Sequence, residues 1–139
     1  MENLTDAIDT EEFQTILKQI VYKPTPEKFN RVLDKYRKDP NQMAFGFREG
    51  QRITGMIGLN FIEKDAVEMT HIVVVPENRG QGIGRKLIEA VFKNFHLKKL
   101  IAETDQDAVG FYRCCGFGVK SLGEKYPGTE RFECILVRG

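Results

Sequence analysis

The hydrophobic pattern changes period several times along the chain, and each change predicts an element. Phe13, Ile16, Leu17 and Ile20 recur at helical spacing, so a first helix is expected to open at Asp9 or Thr10. Asp9 with Glu12 three residues on is a capping-box pattern, and Lys23-Pro24 breaks the stripe. Thr25 as cap with Pro26 at the first helical position starts a second helix. Its buried face is Phe29, Val32, Leu33 and Tyr36, and Asp39-Pro40-Asn41 ends it. The pattern then turns to strands. Met43 to Arg48 is the first, Glu49-Gly50 a hairpin turn, and Arg52 to Phe61 the return. Gly55 and Gly58 weaken that strand or mark a bulge. After a turn at Glu63-Lys64-Asp65, Ala66 to Val75 forms a long strand.

Ile83, Leu87, Ile88, Val91, Phe92 and Phe95 next define the main helix, from about Gly82 to Phe95. Lys98 to Glu103 is another strand, and a short helix is expected from about Asp105 to Cys114, closed by Gly116. Phe117–Leu122 and Arg131–Val137 read as a final hairpin with a long loop at Tyr126-Pro127-Gly128-Thr129. Met1–Asp9 offers no convincing strand. No repeat or linker interrupts the chain, so residues 1–139 are expected to form a single domain. The order predicts an α+β fold in which an antiparallel meander runs into a strand–helix–strand unit. The strands of that unit, Ala66–Val75 and Lys98–Glu103, should run parallel with a right-handed crossover.

The joint of that unit carries the chemistry. Val73-Val74-Val75-Pro76 ends the strand, because proline has no N–H for the ladder. Arg79-Gly80-Gln81-Gly82-Ile83-Gly84-Arg85 follows and opens the helix. The three glycines leave the backbone approachable. The first amides of a helix lack intrahelical partners and sit at the positive end of its dipole. Such a loop is an anion cradle, most naturally for a diphosphate, with Arg79 and Arg85 adding charge. A dinucleotide loop would need a place near the start of a doubly wound sheet, with an acidic residue about twenty positions on. A nucleoside-triphosphate loop would need Lys-Ser/Thr after the last glycine, where this chain has Arg85-Lys86-Leu87.

Arg79-Gly80-Gln81-Gly82-Ile83-Gly84 fits the Arg/Gln-x-x-Gly-x-Gly/Ala loop of the GCN5-related N-acetyltransferases, the GNAT family. Ala108-x-x-Phe111-Tyr112-x-x-x-Gly116-Phe117 resembles that family's second signature. The resemblance covers Glu68 to Phe117 well and the rest loosely. It implies a GNAT-like acyl-CoA N-acyltransferase fold: a central, mostly antiparallel twisted sheet, splayed at its parallel strand pair, with helices on both faces. It also implies acetyl-coenzyme A as cosubstrate, with the pantetheine arm entering the splay, and no metal. The reaction implied is direct attack by a primary amine in a ternary complex, without an acyl-enzyme.

That chemistry has four needs. The loop Arg79–Arg85 holds the diphosphate. A backbone N–H among Val73, Val74 and Val75 is expected, by resemblance, to polarise the thioester carbonyl. By resemblance, Tyr112 supplies the leaving thiolate with a hydrogen bond or a proton, since a phenol with a reference pKa of about 10 stays protonated at neutral pH. Phe111 beside it packs on the cofactor or the core. For the amine's proton there are three candidates: Glu68, which by resemblance lies near the glutamate of the histone-acetylating branch, His71 with its near-neutral reference pKa, and water. Strand parity places Glu68 with Thr70 and Ile72, opposite His71. Asp105 stands where the family often has an asparagine that bonds the pantetheine. An ionised Asp accepts but cannot donate, so it serves equally as a helix cap. Glu124, Glu130 and Arg131 are charged positions near the Pro-Gly turn, placed either to meet a polar amine or to face solvent. The acceptor itself, a small-molecule or protein amine, is not legible. A non-catalytic acyl-coenzyme A-binding module is the rival reading.

Bulk properties add exclusions. Lys and Arg number 21 against 20 Asp and Glu, for a net charge of +1, which gives no support for a broad nucleic-acid surface. No apolar run approaches the roughly 20 residues of a membrane span, and acidic Met1–Asp6 lacks a signal-peptide layout. Cys114, Cys115 and Cys134 are odd in number and lack metal-ligand spacing. Reduced thiols, a cytoplasmic protein, and a monomer or homodimer are expected.

Overall fold

A computed structural model describes residues 1–21, 25–63 and 65–138. The expected break at Lys23-Pro24 lies outside the described residues. The strands are β1 (Glu2–Asn3), β2 (Gln42–Glu49), β3 (Arg52–Asn60), β4 (Ala66–Val74), β5 (Lys99–Asp105), β6 (Gly118–Tyr126) and β7 (Thr129–Val137). The helices are α1 (Glu11–Lys18), α2 (Pro26–Lys38), α3 (Ile83–Phe95) and α4 (Val109–Cys114). Among the described residues, these seven strands form one sheet in the order β1-β2-β3-β4-β5-β7-β6. Every neighbouring pair is antiparallel except β4 and β5. This is the mixed, mostly antiparallel sheet expected, with its single parallel pair where the crossover helix predicted it.

Two hydrophobic cores sit on the two faces. On one, Leu87, Ile88, Val91 and Phe92 of α3 and Val109 and Tyr112 of α4 pack against Ile57, Val67, Leu100 and Cys134 of the sheet. On the other, Phe13, Ile16 and Leu17 of α1 and Phe29, Leu33 and Tyr36 of α2 pack against Ala44, Ile53, Met56 and Val73. Gly55 lets α3 approach β3, because a Cβ there would lie 2.8 Å from Ile83 Cγ2.

Several expectations are corrected. The N-terminus does contribute a strand: Glu2 and Asn3 pair with Gly46 and Phe45, a two-residue segment too short to show a period. Thr10 caps α1 through the Phe13 amide. Glu12 instead accepts from the Ile53 N–H at 3.0 Å, and Asp9 pairs with Arg37. Helix α1 stops at Lys18, which leaves Ile20 exposed. Helix α4 begins at Val109, because β5 runs on through Asp105 and a turn comes after it. The last hairpin has no long loop: Tyr126 pairs with Thr129, leaving a tight Pro127-Gly128 turn.

Candidate functional site

Strand β4 delivers the chain through a short 3-10 turn, Pro76–Asn78, to the glycine loop. Gly80 and Gly82 both have positive φ, 82° and 74°, a backbone state that other residues reach only with strain. Nothing lies within 4 Å of where a Cβ would stand on either, so the space over the loop is open. Gly82 is the N-cap of α3 and brings no side-chain cap. The first-turn amides of Ile83, Gly84 and Arg85 are therefore left for a ligand or water. Gly84 serves packing as well. A Cβ there would meet the Phe111 ring at 3.0 Å, so its bareness lets α4 close on α3. The two arginines turn back onto the fold. Arg79 Nε donates to the Val74 carbonyl at 3.2 Å, and Arg85 Nη2 donates to the Cys114 carbonyl at 2.6 Å.

The parallel pair is short. Strands β4 and β5 pair only at Ala66–Lys99, Val67–Leu100 and Glu68–Ile101. Beyond that, β4 stays with β3 as far as Val74, and β5 stays with β7 as far as Asp105. The sheet splits between them. The Val75 N–H donates to Thr54 of β3 at 2.9 Å. By the alternation of an antiparallel ladder, Val73 also faces β3, which turns the Val74 N–H toward the split.

A bulge reshapes β4 beside the split. Gly58 pairs with His71, but Leu59 pairs with Met69, so Thr70 is the extra residue. A bulge reverses the facing of the residues beyond it. Val67 and Met69 belong to the α3 core, whereas Val73 belongs to the α1/α2 core. The expected opposition of Glu68 and His71 is thereby corrected. Both line one cavity of about 310 Å³ on the α2 side, with Lys35, Tyr36, Gln42, Asn60, Thr70 and Glu103. Glu68 comes from β4 and Glu103 from β5, one from each side of the split. Asn60 Nδ2 donates to Glu68 at 3.5 Å. Lys125 and Arg131 both donate to Glu103 Oε1, at 2.9 and 3.3 Å, and hold its carboxyl below the usual range. Glu130 and Gln106 close the hairpin onto the post-β5 turn, the Glu130 N–H donating to Gln106 Oε1 at 2.9 Å. Glu124 lies exposed on β6.

His71 is not free to act as a simple base. The Tyr36 hydroxyl lies 2.6 Å from its Nδ1, and burial, then the Lys35 charge, push the ring down to about 4. Tyr36 lies 3.0 Å from Thr70 Oγ1 as well, and burial pushes its phenol up to about 12.

Tyr112 is buried on the other face, the α3 side, between Phe111 and Phe117 with edge-on ring contacts at 5.4 and 5.3 Å. Burial first, then Cys134, Cys115 and Asp105, push its phenol up to about 12. No described residue hydrogen-bonds the hydroxyl, and the raised pKa keeps it protonated near neutral pH. Asp105 caps the turn before α4, its Oδ1 accepting from the Asp107 and Ala108 amides at 3.0 and 3.1 Å. All three thiols are free, and burial pushes those of Cys115 and Cys134 upward. Among the described residues no group of His, Cys, Asp and Glu is arranged to hold a metal, and no helix is long and apolar enough to cross a membrane.

A model of the acetyltransferase (GNAT) family matches residues 9–117. The chain belongs to the GNAT family. Its activity is acetyl-coenzyme A-dependent N-acetyl transfer, which sets aside the non-catalytic reading. An uncharacterized N-acetyltransferase from the lysA 3' region of Bacillus methanolicus is 28% identical over 89 residues, 64% of this chain and 72% of that protein. An aminoglycoside 6'-N-acetyltransferase solved with coenzyme A superposes with a TM-score of 0.75 at 14% identity, over 96% of this chain and 90% of that one. A spermidine N-acetyltransferase from Vibrio cholerae superposes with a TM-score of 0.70 at 18% identity, over 98% of this chain and 93% of that one. These two likenesses show the GNAT fold. Sequence reasoning missed Tyr36, Gly58, Thr70 and Glu103 as site residues. Tyr36 looked like one more member of a helical stripe, and a bulge leaves no reliable mark in a strand pattern.

Proposed function

We propose that this GNAT chain acetylates a cationic primary amine by direct transfer at the split between β4 and β5. One observation carries the reading: parallel pairing stops after Glu68–Ile101, with the open glycine loop at the end of β4 and a carboxylate-lined cavity beside the split. Acetyl-coenzyme A fits the residues present, because the loop over Gly80 and Gly82 is open and α3 is uncapped; it supplies the acetyl group as a thioester.

The rest is work for the chain. Amides of Gly80, Gln81, Gly82, Ile83, Gly84 and Arg85 hold the diphosphate, each charge-assisted bond contributing on the order of 1.5–3 kcal/mol. Among Val73, Val74 and Val75, the Val74 N–H is aimed to polarise the carbonyl. Tyr112 keeps its proton at working pH and gives a hydrogen bond to the departing sulfur. Phe111 packs between α4 and Gly84. Glu68 takes the amine's proton, directly or through water, since His71 is depressed and already engaged. Asp105 holds the turn that aims α4. Glu68 lines the cavity without a cationic partner among the described residues and favours a cation, whereas Glu103 is already held by Lys125 and Arg131. The cavity's volume suits a small polyamine, an amino sugar or the end of a lysine side chain. The two solved relatives act, by their names, on spermidine and on aminoglycosides.

A panel of such amines, assayed by release of free thiol, tests the reading. Turnover with cationic amines, lost in Glu68→Gln with acetyl-coenzyme A binding intact, is the expected result. Equal turnover in Glu68→Gln would remove the carboxylate from the mechanism.

A further inference from the structure

Helix α2 reaches the β4 bulge through a gap in the sheet surface. Gly58 on β3 lies opposite His71, and a Cβ on Gly58 would stand 1.9 Å from the Tyr36 hydroxyl and 2.7 Å from Thr70 Oγ1. The hydroxyl thus occupies the place of a missing side chain. It touches Thr70 Oγ1 at 3.0 Å and His71 Nδ1 at 2.6 Å, and the two rings pack at 5.7 Å.

Two proton arrangements satisfy these contacts. In one, Thr70 donates to Tyr36 and Tyr36 donates to His71 Nδ1. In the other, His71 Nδ1–H donates to Tyr36 and Tyr36 donates to Thr70. Acid and base strength separate them: a phenol is a stronger acid than a neutral imidazole N–H, and an imidazole nitrogen is a stronger base than a phenol oxygen. The 2.6 Å contact fits an O–H donor. The bond made by one ring nitrogen sets the state of the other.

We propose that Tyr36 is a positioning residue for acetyl transfer: it locks His71 in the neutral Nε2–H tautomer, so that the ring offers the acceptor cavity a hydrogen-bond donor rather than a base. This rests on the reading that the cavity receives the acceptor. The groups that line the cavity with the ring are consistent with it: Tyr36 and Lys35 come from α2, Thr70 and Glu68 from β4, and Glu103 from β5. A donor beside Glu68 suits an acceptor carrying a hydroxyl, carbonyl or second nitrogen lone pair next to its amine.

Two-bond proton–nitrogen NMR on the full chain labelled with nitrogen-15 reads the tautomer directly. There are two histidines, and the His71→Gln spectrum assigns them. The expected wild-type result is a protonated Nε2 and a bare Nδ1 from pH 8 to 5; a protonated Nδ1 overturns the proposal without any variant. Tyr36→Phe should release the ring to a mixture of tautomers. It should also raise the KM for spermidine, the probe amine, by about 3–10-fold, with that for acetyl-coenzyme A within about twofold. An unchanged tautomer in a folded Tyr36→Phe protein overturns it. His71→Gln, whose amide restores a donor, should recover most of what His71→Leu loses; no recovery overturns the donor role. If Glu68→Gln leaves spermidine kinetics unchanged, the acceptor reading of the cavity fails while the tautomer assignment stands.

Discussion

Two buried tyrosines on opposite faces of one sheet show how differently the same side chain can be used. Burial pushes both phenols up to about 12, so neither ionises near neutral pH. Around Tyr36, α2, the Thr70 bulge and Gly58 enclose the hydroxyl and give it two partners. Around Tyr112, Phe111 of α4 and Phe117 beyond its end pack on the ring, and the hydroxyl has no partner among the described residues. A partnered hydroxyl holds its neighbours in place. An unpartnered one keeps its proton available. On the roles proposed above, what separates the positioning tyrosine from the reacting one is hydrogen-bond occupancy, since both are buried and both phenols are raised alike.

The contrast is tested most severely at Tyr112. Tyr112→Phe should lower kcat about 10²–10⁴-fold, with acetyl-coenzyme A affinity held in titration calorimetry; retained turnover would move the acid elsewhere. Gly58→Ala comes next. Its methyl meets the Tyr36 hydroxyl at 1.9 Å, and overpacking of this kind should cost about 3 kcal/mol in chemical denaturation. A neutral result would mean the hydroxyl is not seated there.

The third test uses pH. His71 titrates at about 4 when folded against about 6.5 unfolded. The unfolded chain therefore binds the extra proton between those values, and stability falls as pH drops from 6.5 to 4. The loss attributable to this half-buried ring is about 2 kcal/mol, and His71→Gln should flatten that part of the melting profile. The smallest effect on stability is expected from Gly82→Ala, about 1 kcal/mol for an alanine forced to positive φ, with a measurable fall in acetyl-coenzyme A affinity. Wild-type affinity would show that the loop does not grip the diphosphate.

Legibility differs between the same two regions. The α3 side can be read from sequence because its signals are local. A β-branched strand, a proline, three glycines and a helical stripe lie within Ile72–Phe95, and Phe111-Tyr112 comes later in a recognisable pattern. Even there the packing role of Gly84 is hidden, since its neighbour Phe111 arrives from a distant helix. The α2 side depends on non-local facts. Gly58 interrupts its strand pattern, and the register does shift beside it, but the extra residue is Thr70 on the facing strand. One inserted residue reverses parity, and that reversal puts His71 with Glu68. Glu103 enters the site for a similar reason: only the sheet order, with β5 beside β4, brings it across from Glu68.

The split between β4 and β5 has a consequence for the working cycle. Past Glu68 and Ile101, each strand has a backbone edge inside the protein rather than at its rim. A thioester arm lying along the Val74 edge, as proposed, would complete the sheet like a short extra rung. Each turnover would then remove and replace a piece of the fold's own ladder. Amide deuterium uptake along Met69–Val74 should therefore fall when cosubstrate is present and rise again as product leaves.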